Sequence, residues 1–151
     1  MLAKIAAFTE AHRSRRSFAA QREFAQQATT MSRGDHMASV VETALDTVPC
    51  DLLLVPTRGG TVARAISRFK PPVWIVAPSF DPAASQNLAF SYGVDPVDLL
   101  EEPDDWREWA TRWVRENGIT AERVMLVAGP SPRNPKANQR IELMRLDVHH
   151  S

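Results

Sequence analysis

The stretch Asp51-Leu-Leu-Leu-Val-Pro-Thr-Arg-Gly-Gly-Thr61 decides the fold of this chain, because it has the pattern of a buried strand that ends in a tight turn. Residues 52–55 form an unbroken apolar run, which a strand buried on both faces needs. The glycine pair at 59–60 permits positive φ angles and a close approach of the backbone to a ligand. Apolar residues then recur at helical spacing, so we predict a helix over residues 60–69.

The turn after this strand is a candidate phosphate site. The first N–H groups of a helix have no partner inside it, and together with the helix dipole they favour an anion. We predict that the phosphate contacts are made by Thr57, Arg58, Gly59, Gly60 and Thr61. The alternative is a plain strand-to-helix turn that Thr57 caps, with Arg58 in solvent. The pattern by itself leaves both interpretations open.

The composition favours one domain with an ordinary polar surface. The chain has 151 residues, of which 44% are hydrophobic and 24% charged, and its formal net charge is zero. A broad nucleic-acid interface needs a basic excess, so we expect no nucleic-acid partner. No apolar run approaches the roughly 20 residues that span a bilayer, so we expect no membrane partner. A chain with a single cysteine fits a cytoplasmic location.

The residues that usually carry catalysis or metal binding are sparse. Cys50 is the only cysteine, which excludes a disulfide or a cysteine-based metal site within one chain. None of the four histidines lies in a nucleophile-like context, and the turn lacks the GxxxxGK[ST] pattern of nucleotide hydrolases. Asp81 and Asp95 fall near strand ends, where we favour capping and turn formation over acid–base chemistry. We therefore predict no catalytic residue, no metal and no cofactor.

The N-terminal part differs from the rest. Residues 1–34 are predicted to form a helical segment that packs on the domain or on a partner, and residues 35–151 a single α/β domain. Ser32-Arg-Gly-Asp35 has the composition of a turn, so Asp35 is the predicted N-cap of a helix over residues 36–47.

The remaining chain alternates between strands and helices, which implies a parallel sheet with right-handed crossovers. Further strands are predicted over residues 73–77, 93–100, 123–128 and 141–146, and further helices over residues 83–90 and 104–118. The last strand follows a loop too short for a crossover helix, so it should be antiparallel at the edge. The predicted fold is a three-layer αβα domain with a mostly parallel five-stranded sheet. The tryptophan stripe of the 104–118 helix is predicted to be core.

A second loop should lie beside the candidate phosphate turn. Ligands of open α/β sheets gather at the carboxyl ends of strands, where both the turn and residues 129–139 are expected. We predict that Arg133 and Lys136 of this loop face the same anion. The alternative is a solvated loop that its prolines merely stiffen.

Several segments in order resemble the C-terminal α/β domain of pyruvate kinase. These are Thr57-Arg-Gly-Gly-Thr61, Ser67-Arg-Phe-Lys-Pro-Pro72 before an apolar strand, Tyr92-Gly-Val-Asp-Pro-Val97, and Val127-Ala-Gly129 with Asn138 before the final strand. The resemblance covers nearly the whole chain and is most specific over residues 51–97.

The resemblance implies a regulatory domain without kinase chemistry, because the catalytic barrel of that family has no counterpart in this sequence. It implies a phosphorylated effector bound at Thr57–Thr61, with a second effector loop at residues 129–138, and a homo-oligomer or a pyruvate kinase-like partner. That second loop is glycine-rich in relatives and proline-rich here, which favours a generic phosphate over fructose 1,6-bisphosphate. The alternative function is a protein–protein interaction or oligomerisation module with no ligand of its own.

Overall fold

Nine elements follow one another along residues 33–147, the part of the chain that the computed structural model describes. The helices are α1 Arg33–Thr47, α2 Thr61–Ser67, α3 Pro82–Leu88 and α4 Trp106–Glu116. The strands are β1 Leu52–Leu54, β2 Trp74–Ser79, β3 Val94–Asp98, β4 Arg123–Ala128 and β5 Arg140–Arg145. The predicted order of strands and helices is confirmed, and most boundaries shift by one to three residues.

The five strands form one sheet in the order β3-β2-β1-β4-β5. The first four strands are mutually parallel, and β5 runs antiparallel to β4, with Val124 opposite Met144. The predicted α/β fold with an antiparallel last strand at the edge is therefore confirmed. β3 is the other edge strand, which explains how it accommodates Pro96.

Side chains of the central strands alternate between two apolar cores. Leu53 and Val55 face the core that α1, α2 and α3 cover, whereas Leu52 and Leu54 face the core that α4 covers. All four side chains are buried. The unbroken apolar run thus reflects a strand with a helical layer on each side, which makes the domain three-layered.

The tryptophan stripe of α4 packs against the sheet as predicted. Trp106 and Trp109 are buried, and their rings meet edge to face with centroids 5.6 Å apart. Trp113 is partly buried and stacks on Trp109 at 6.3 Å. Asp105 caps this helix, since its carboxylate accepts the N–H of Arg107 at 2.8 Å.

One prediction near the N-terminus is wrong. Asp35 lies inside the first turn of α1 and is not its N-cap, because the described helix already contains Arg33. Gly34 suggested a turn, but its role is packing: a Cβ at this position would lie 2.9 Å from the Thr61 methyl carbon. Residues 1–32 of the predicted helical segment lie outside the described residues. The proposed division after residue 34 stays a prediction.

Candidate functional site

The Thr57–Thr61 turn lies where β1 meets the end of β2. The N–H of Thr57 donates to the carbonyl of Pro78 at 2.9 Å, which continues the parallel pairing beyond β1. The Thr57 hydroxyl then accepts the N–H of Gly60 at 2.6 Å. This hydrogen bond closes the turn, so Thr57 acts as the cap that the plain-turn interpretation required.

Gly60 is the position of the turn where only glycine fits. Its φ of 81° is in the left-handed region, which side chains disfavour. A Cβ there would also lie 3.1–3.3 Å from carbons of the Leu88 side chain. The glycine therefore lets the turn bend tightly against α3.

The first of two clefts at this edge of the sheet opens on the side of α1 and α2, and we call it the arginine cleft. Its volume is about 310 Å³. Among residues 33–147, two arginines, Arg33 and Arg58, line it and no acidic side chain does. The rest of the lining consists of Gly34, Pro56, Thr57, Gly59, Thr61, Val62, residues 127–130 and Gln139. The charges that the described part of the chain contributes to this cleft are therefore all positive.

The second cleft, which we call the tryptophan cleft, opens on the α4 side and is smaller, at about 90 Å³. Phe80 and Trp106 supply its aromatic lining. Glu102 adds a charge opposite in sign to that of Arg58, and Arg140 adds one of the same sign. The two clefts share a wall made of Pro56, Thr57, Arg58 and residues 128–130. Arg58 thus lines both of them.

The loop after β4 reaches the same edge of the sheet as the turn, and its first residues complete both clefts. Reciprocal main-chain hydrogen bonds of 3.1 Å join Ser131 and Asn134, which gives this proline-rich loop a defined turn. Ser131 and Asn134 both line the tryptophan cleft. The prediction that turn and loop lie together therefore agrees with the structure.

The two basic residues predicted in this loop lie elsewhere. The guanidinium of Arg133 forms an ion pair with Asp104, and this hydrogen bond raises the pKa of Arg133. The main-chain N–H of Arg133 donates to Glu102 at 3.0 Å. Neither Arg133 nor Lys136 is among the lining residues of the two clefts. The structure thus brings Thr57, Arg58, Gly59 and Thr61 to one site and leaves Arg133 and Lys136 outside it. Gly60 of the turn is buried and lines neither cleft.

Several lining residues were missed from the sequence. Arg33 fell in a segment predicted as a turn, and Glu102 belongs to an acidic run that suggested a solvated loop. Arg140 had a usable signal, because it directly precedes the last predicted strand and therefore returns to the edge where β4 ends. Phe80 likewise follows β2 at its carboxyl end.

Residues considered for catalysis have structural roles. Asp81 caps α3 by accepting the N–H of Ala83 at 3.0 Å, which confirms the capping interpretation. Burial raises the pKa of the Cys50 thiol, which donates to the carbonyl of Leu52, as suits a small packing residue. Within residues 33–147, no group of three or more potential ligand side chains could hold a metal ion. The helices of that same part of the chain are too short or too polar to span a bilayer.

Comparison with known proteins places this domain in a family. The family model described as "Pyruvate kinase, alpha/beta domain" matches residues 35–141. Over 102 residues the chain is 39% identical to the pyruvate kinase of Thermococcus litoralis, covering 67% of this chain and 22% of that relative. It is 35% identical to the pyruvate kinase of Lactobacillus delbrueckii subsp. bulgaricus, covering 60% of this chain and 16% of the relative.

Solved structures share the fold. Cryptosporidium parvum pyruvate kinase in complex with ADP superimposes with a TM-score of 0.64 at 23% identity, over 76% of this chain and 24% of that one. Pyruvate kinase from Pyrobaculum aerophilum superimposes with a TM-score of 0.52 at 18% identity, over 77% of this chain and 24% of that one. The chain thus spans at most 22% of the length of the two curated relatives. On the match over residues 35–141, the chain belongs to the pyruvate kinase alpha/beta domain family.

Proposed function

We propose that this domain is a non-catalytic regulatory domain that binds a phosphorylated small molecule, a sugar phosphate or phosphate itself, at the Thr57–Thr61 turn. The observation that carries the proposal is the arginine cleft. It combines two arginines and two threonines at the carboxyl end of parallel strands, and no carboxylate of the described residues 33–147 lines it. Ligands of open α/β sheets bind at this edge.

Arg58 supplies the main charge of the proposed site. Its side chain is exposed, and within residues 33–147 no carboxylate forms an ion pair with it. A guanidinium without such a partner can offer two parallel N–H groups to phosphate oxygens. Arg33 lines the same cleft from α1. A phosphate between these two arginines would meet two positive charges from different elements.

The remaining predicted residues have supporting roles. Thr57 and Thr61 bring hydroxyl groups to the cleft, and Gly59 lets the backbone approach the ligand. Lys136 is exposed on the loop after β4, from which it would attract an anion at longer range. Because Arg133 is paired with Asp104, we expect it to hold the loop in place and not to neutralise the ligand.

A thermal-shift titration tests this function. Inorganic phosphate, glucose 6-phosphate and ribose 5-phosphate are titrated against the full chain, Arg58→Ala and Arg64→Ala. Arg64 is an exposed arginine of α2 that lines neither cleft, so its variant is the matched control. A ligand at about 100 times its Kd should add roughly 2.7 kcal/mol to the free energy of unfolding.

We expect a saturable rise in melting temperature for the full chain and for Arg64→Ala, and a loss of that rise in Arg58→Ala. A response that is flat for all three compounds would refute the proposed function. An equal response in both variants would show that any phosphate binds elsewhere.

A second function, an oligomerisation or interaction module, is favoured by β5. This strand is the antiparallel edge of the sheet, and Leu143 on it is 62% exposed. An edge strand offers main-chain hydrogen-bonding groups to another chain. The partner would be a second copy or a pyruvate kinase-like protein.

Light scattering at high concentration tests the second function. Leu143→Lys should convert an oligomer into a monomer, whereas Leu100→Lys, at an exposed leucine in the loop after β3, should not. A chain that is monomeric without any substitution would rule out self-association.

A further inference from the structure

We propose that the tryptophan cleft binds a free α-amino acid with a small apolar side chain, such as valine. Glu102 pairs with the ammonium group of the amino acid, Arg58 pairs with its carboxylate, and Phe80 and Trp106 contact its side chain. This ligand is a zwitterion without a phosphate group. Its binding does not require that phosphate binds in the arginine cleft.

The tryptophan cleft is small and carries charges of both signs. Glu102, Arg58 and Arg140 all line it, and its volume of about 90 Å³ brings them within reach of one small molecule. Pockets for drug-sized ligands are larger, at roughly 300–1,000 Å³. An anion alone would leave Glu102 without a partner, and a cation alone would leave the arginines without one. An α-amino acid carries both charges a few bonds apart, so it can satisfy both sides of the cleft.

The carboxylate of Glu102 has an oxygen available for the ammonium group. Within residues 33–147 its side chain makes one hydrogen bond, which Oε2 accepts from the main-chain N–H of Arg133 at 3.0 Å. The guanidinium of Arg133 forms an ion pair with Asp104. The contact with the Arg133 main chain holds Glu102 in the cleft wall and leaves Oε1 for a donor in the cleft. An ammonium group is a strong donor to a carboxylate, because both partners are charged.

Arg58 is the side chain best placed to bind the carboxylate of the ligand. It is exposed, and among residues 33–147 no carboxylate forms an ion pair with it. Arg140 is the second cation of the cleft, but its Nε lies 2.9 Å from Oε1 of Glu142. A guanidinium binds a carboxylate through two parallel N–H groups, which fixes the direction of the ligand.

Two aromatic rings face the remaining part of the ligand. Trp106 is 9% exposed in the core under α4, so its ring is held in place, and Phe80 follows β2 at the same edge of the sheet. A short aliphatic side chain removes apolar surface from water when it covers these rings. The cleft therefore combines an acceptor, a cation and an apolar surface, which are the three contacts that an apolar amino acid needs.

The indole N–H signal of Trp106 reports entry of a ligand in a chain labelled with ¹⁵N. Trp74 at the start of β2 is 64% exposed and does not line the cleft, so its indole signal is the internal control. The full chain is titrated with valine, isovalerate and isobutylamine. Isovalerate is valine without the ammonium group, and isobutylamine is valine without the carboxylate.

The valine titration is repeated on Glu102→Gln and Arg58→Ala, and Glu102→Gln is also titrated with isovalerate. Glutamine keeps an acceptor for the main-chain N–H at residue 133 and removes the charge. The control variants are Glu101→Gln and Arg64→Ala, because both residues are exposed and lie outside the lining of the cleft.

We expect valine to shift the Trp106 signal saturably and to bind at least about tenfold more tightly than either analogue. Each analogue leaves a charged side chain of the cleft without its partner. Glu102→Gln should remove the advantage of valine over isovalerate, and Arg58→Ala should weaken valine binding by about tenfold or more. Both control variants should keep the affinity of the full chain.

An unmoved Trp106 signal at millimolar valine would overturn this proposal. Equal affinities for valine and either analogue, or unchanged valine affinity in Glu102→Gln, would also overturn it. None of these results alters the thermal-shift response to phosphate, so a failure here is distinguishable from a failure of the proposed function.

Discussion

The hydroxyl oxygen of Thr57 lies 2.6 Å from the main-chain nitrogen of Gly60 and accepts its N–H. A hydroxyl group has a proton to donate in addition to its acceptor lone pairs. The oxygen that closes the turn can therefore also donate its own O–H to a ligand atom in the arginine cleft, which Thr57 lines. Capping and ligand contact are compatible roles for this one side chain.

Substitutions of Thr57 distinguish the hydrogen bonds of its hydroxyl group from the packing of its side chain. Thr57→Val keeps the shape and removes the hydroxyl, so the N–H of Gly60 loses its partner. We expect a loss of about 1 kcal/mol in the free energy of unfolding, measured in urea, and weaker phosphate binding. Thr57→Ser keeps the hydroxyl and should retain both properties within error. A valine variant as stable as the unmodified chain would argue against the turn described above.

The two glycines of the turn should respond differently to alanine. Gly60→Ala places a side chain at a φ of 81° and against Leu88, so we expect a destabilisation of about 1–3 kcal/mol. At Gly59 the nearest atom to an added Cβ is Thr61 Oγ1 at 4.0 Å, so Gly59→Ala should fold with nearly unchanged stability. Thermal melts of both variants make the comparison. Equal losses would mean that the turn has another conformation.

Asp51 links the start of β1 to the start of β4 and should make stability depend on acid pH. Its Oδ2 accepts the N–H of Arg123 at 2.9 Å and of Glu122 at 3.1 Å. These bonds, that to Arg123 first, hold the pKa of Asp51 below its ordinary value of 3.8. A depressed carboxyl pKa contributes stability that is complete above the unfolded-state pKa and disappears as pH falls through the folded-state value.

Urea unfolding of the full chain and of Asp51→Asn between pH 2 and 7 measures that contribution. The difference in free energy of unfolding should be constant above about pH 5 and should shrink at lower pH as Asp51 is protonated. If the difference in free energy of unfolding stays constant down to pH 2, the charge of the Asp51 carboxylate does not contribute to stability.

The tryptophans give a direct test of the core. Trp109 is 8% exposed in the layer between α4 and the sheet, whereas Trp74 at the start of β2 is 64% exposed. Trp109→Ala should cost about 3–5 kcal/mol, because it removes a buried ring and leaves a cavity. Trp74→Ala should change stability by less than about 0.5 kcal/mol in the same urea titration. Similar costs at both sites would contradict the assignment of α4 to the core.

The fold was predictable because several short sequence patterns, namely apolar runs and connection lengths, independently indicate the same arrangement of strands. The apolar runs of β1 and β4 require burial on both faces, and the short connection before β5 permits only an antiparallel return. Gly34 misled because a glycine allows either a turn or a close helix contact. Which of these the chain uses depends on Thr61, whose position beside Gly34 is set by tertiary packing.

The candidate site was predictable at the turn and less so in the loop. Residues 57–61 follow directly from the strand-turn-helix pattern, which fixes where their backbone lies. Arg133 has a long side chain on an exposed loop, and its direction is set by Asp104, which is 29 positions away in sequence. Glu102 looked like one charge of an acidic run, and only the folded arrangement puts it beside Trp106 in a cleft.

The measurement that tests the central claim most directly is an NMR titration of the uniformly ¹⁵N-labelled full chain with fructose 6-phosphate. The account predicts saturable shifts of the amide signals of Thr57, Arg58, Gly59 and Thr61 and of the loop at residues 129–134. The same titration of Arg58→Ala should leave these signals unmoved. Saturable shifts confined to other parts of the chain, or none at millimolar ligand, would contradict a phosphate site at this turn.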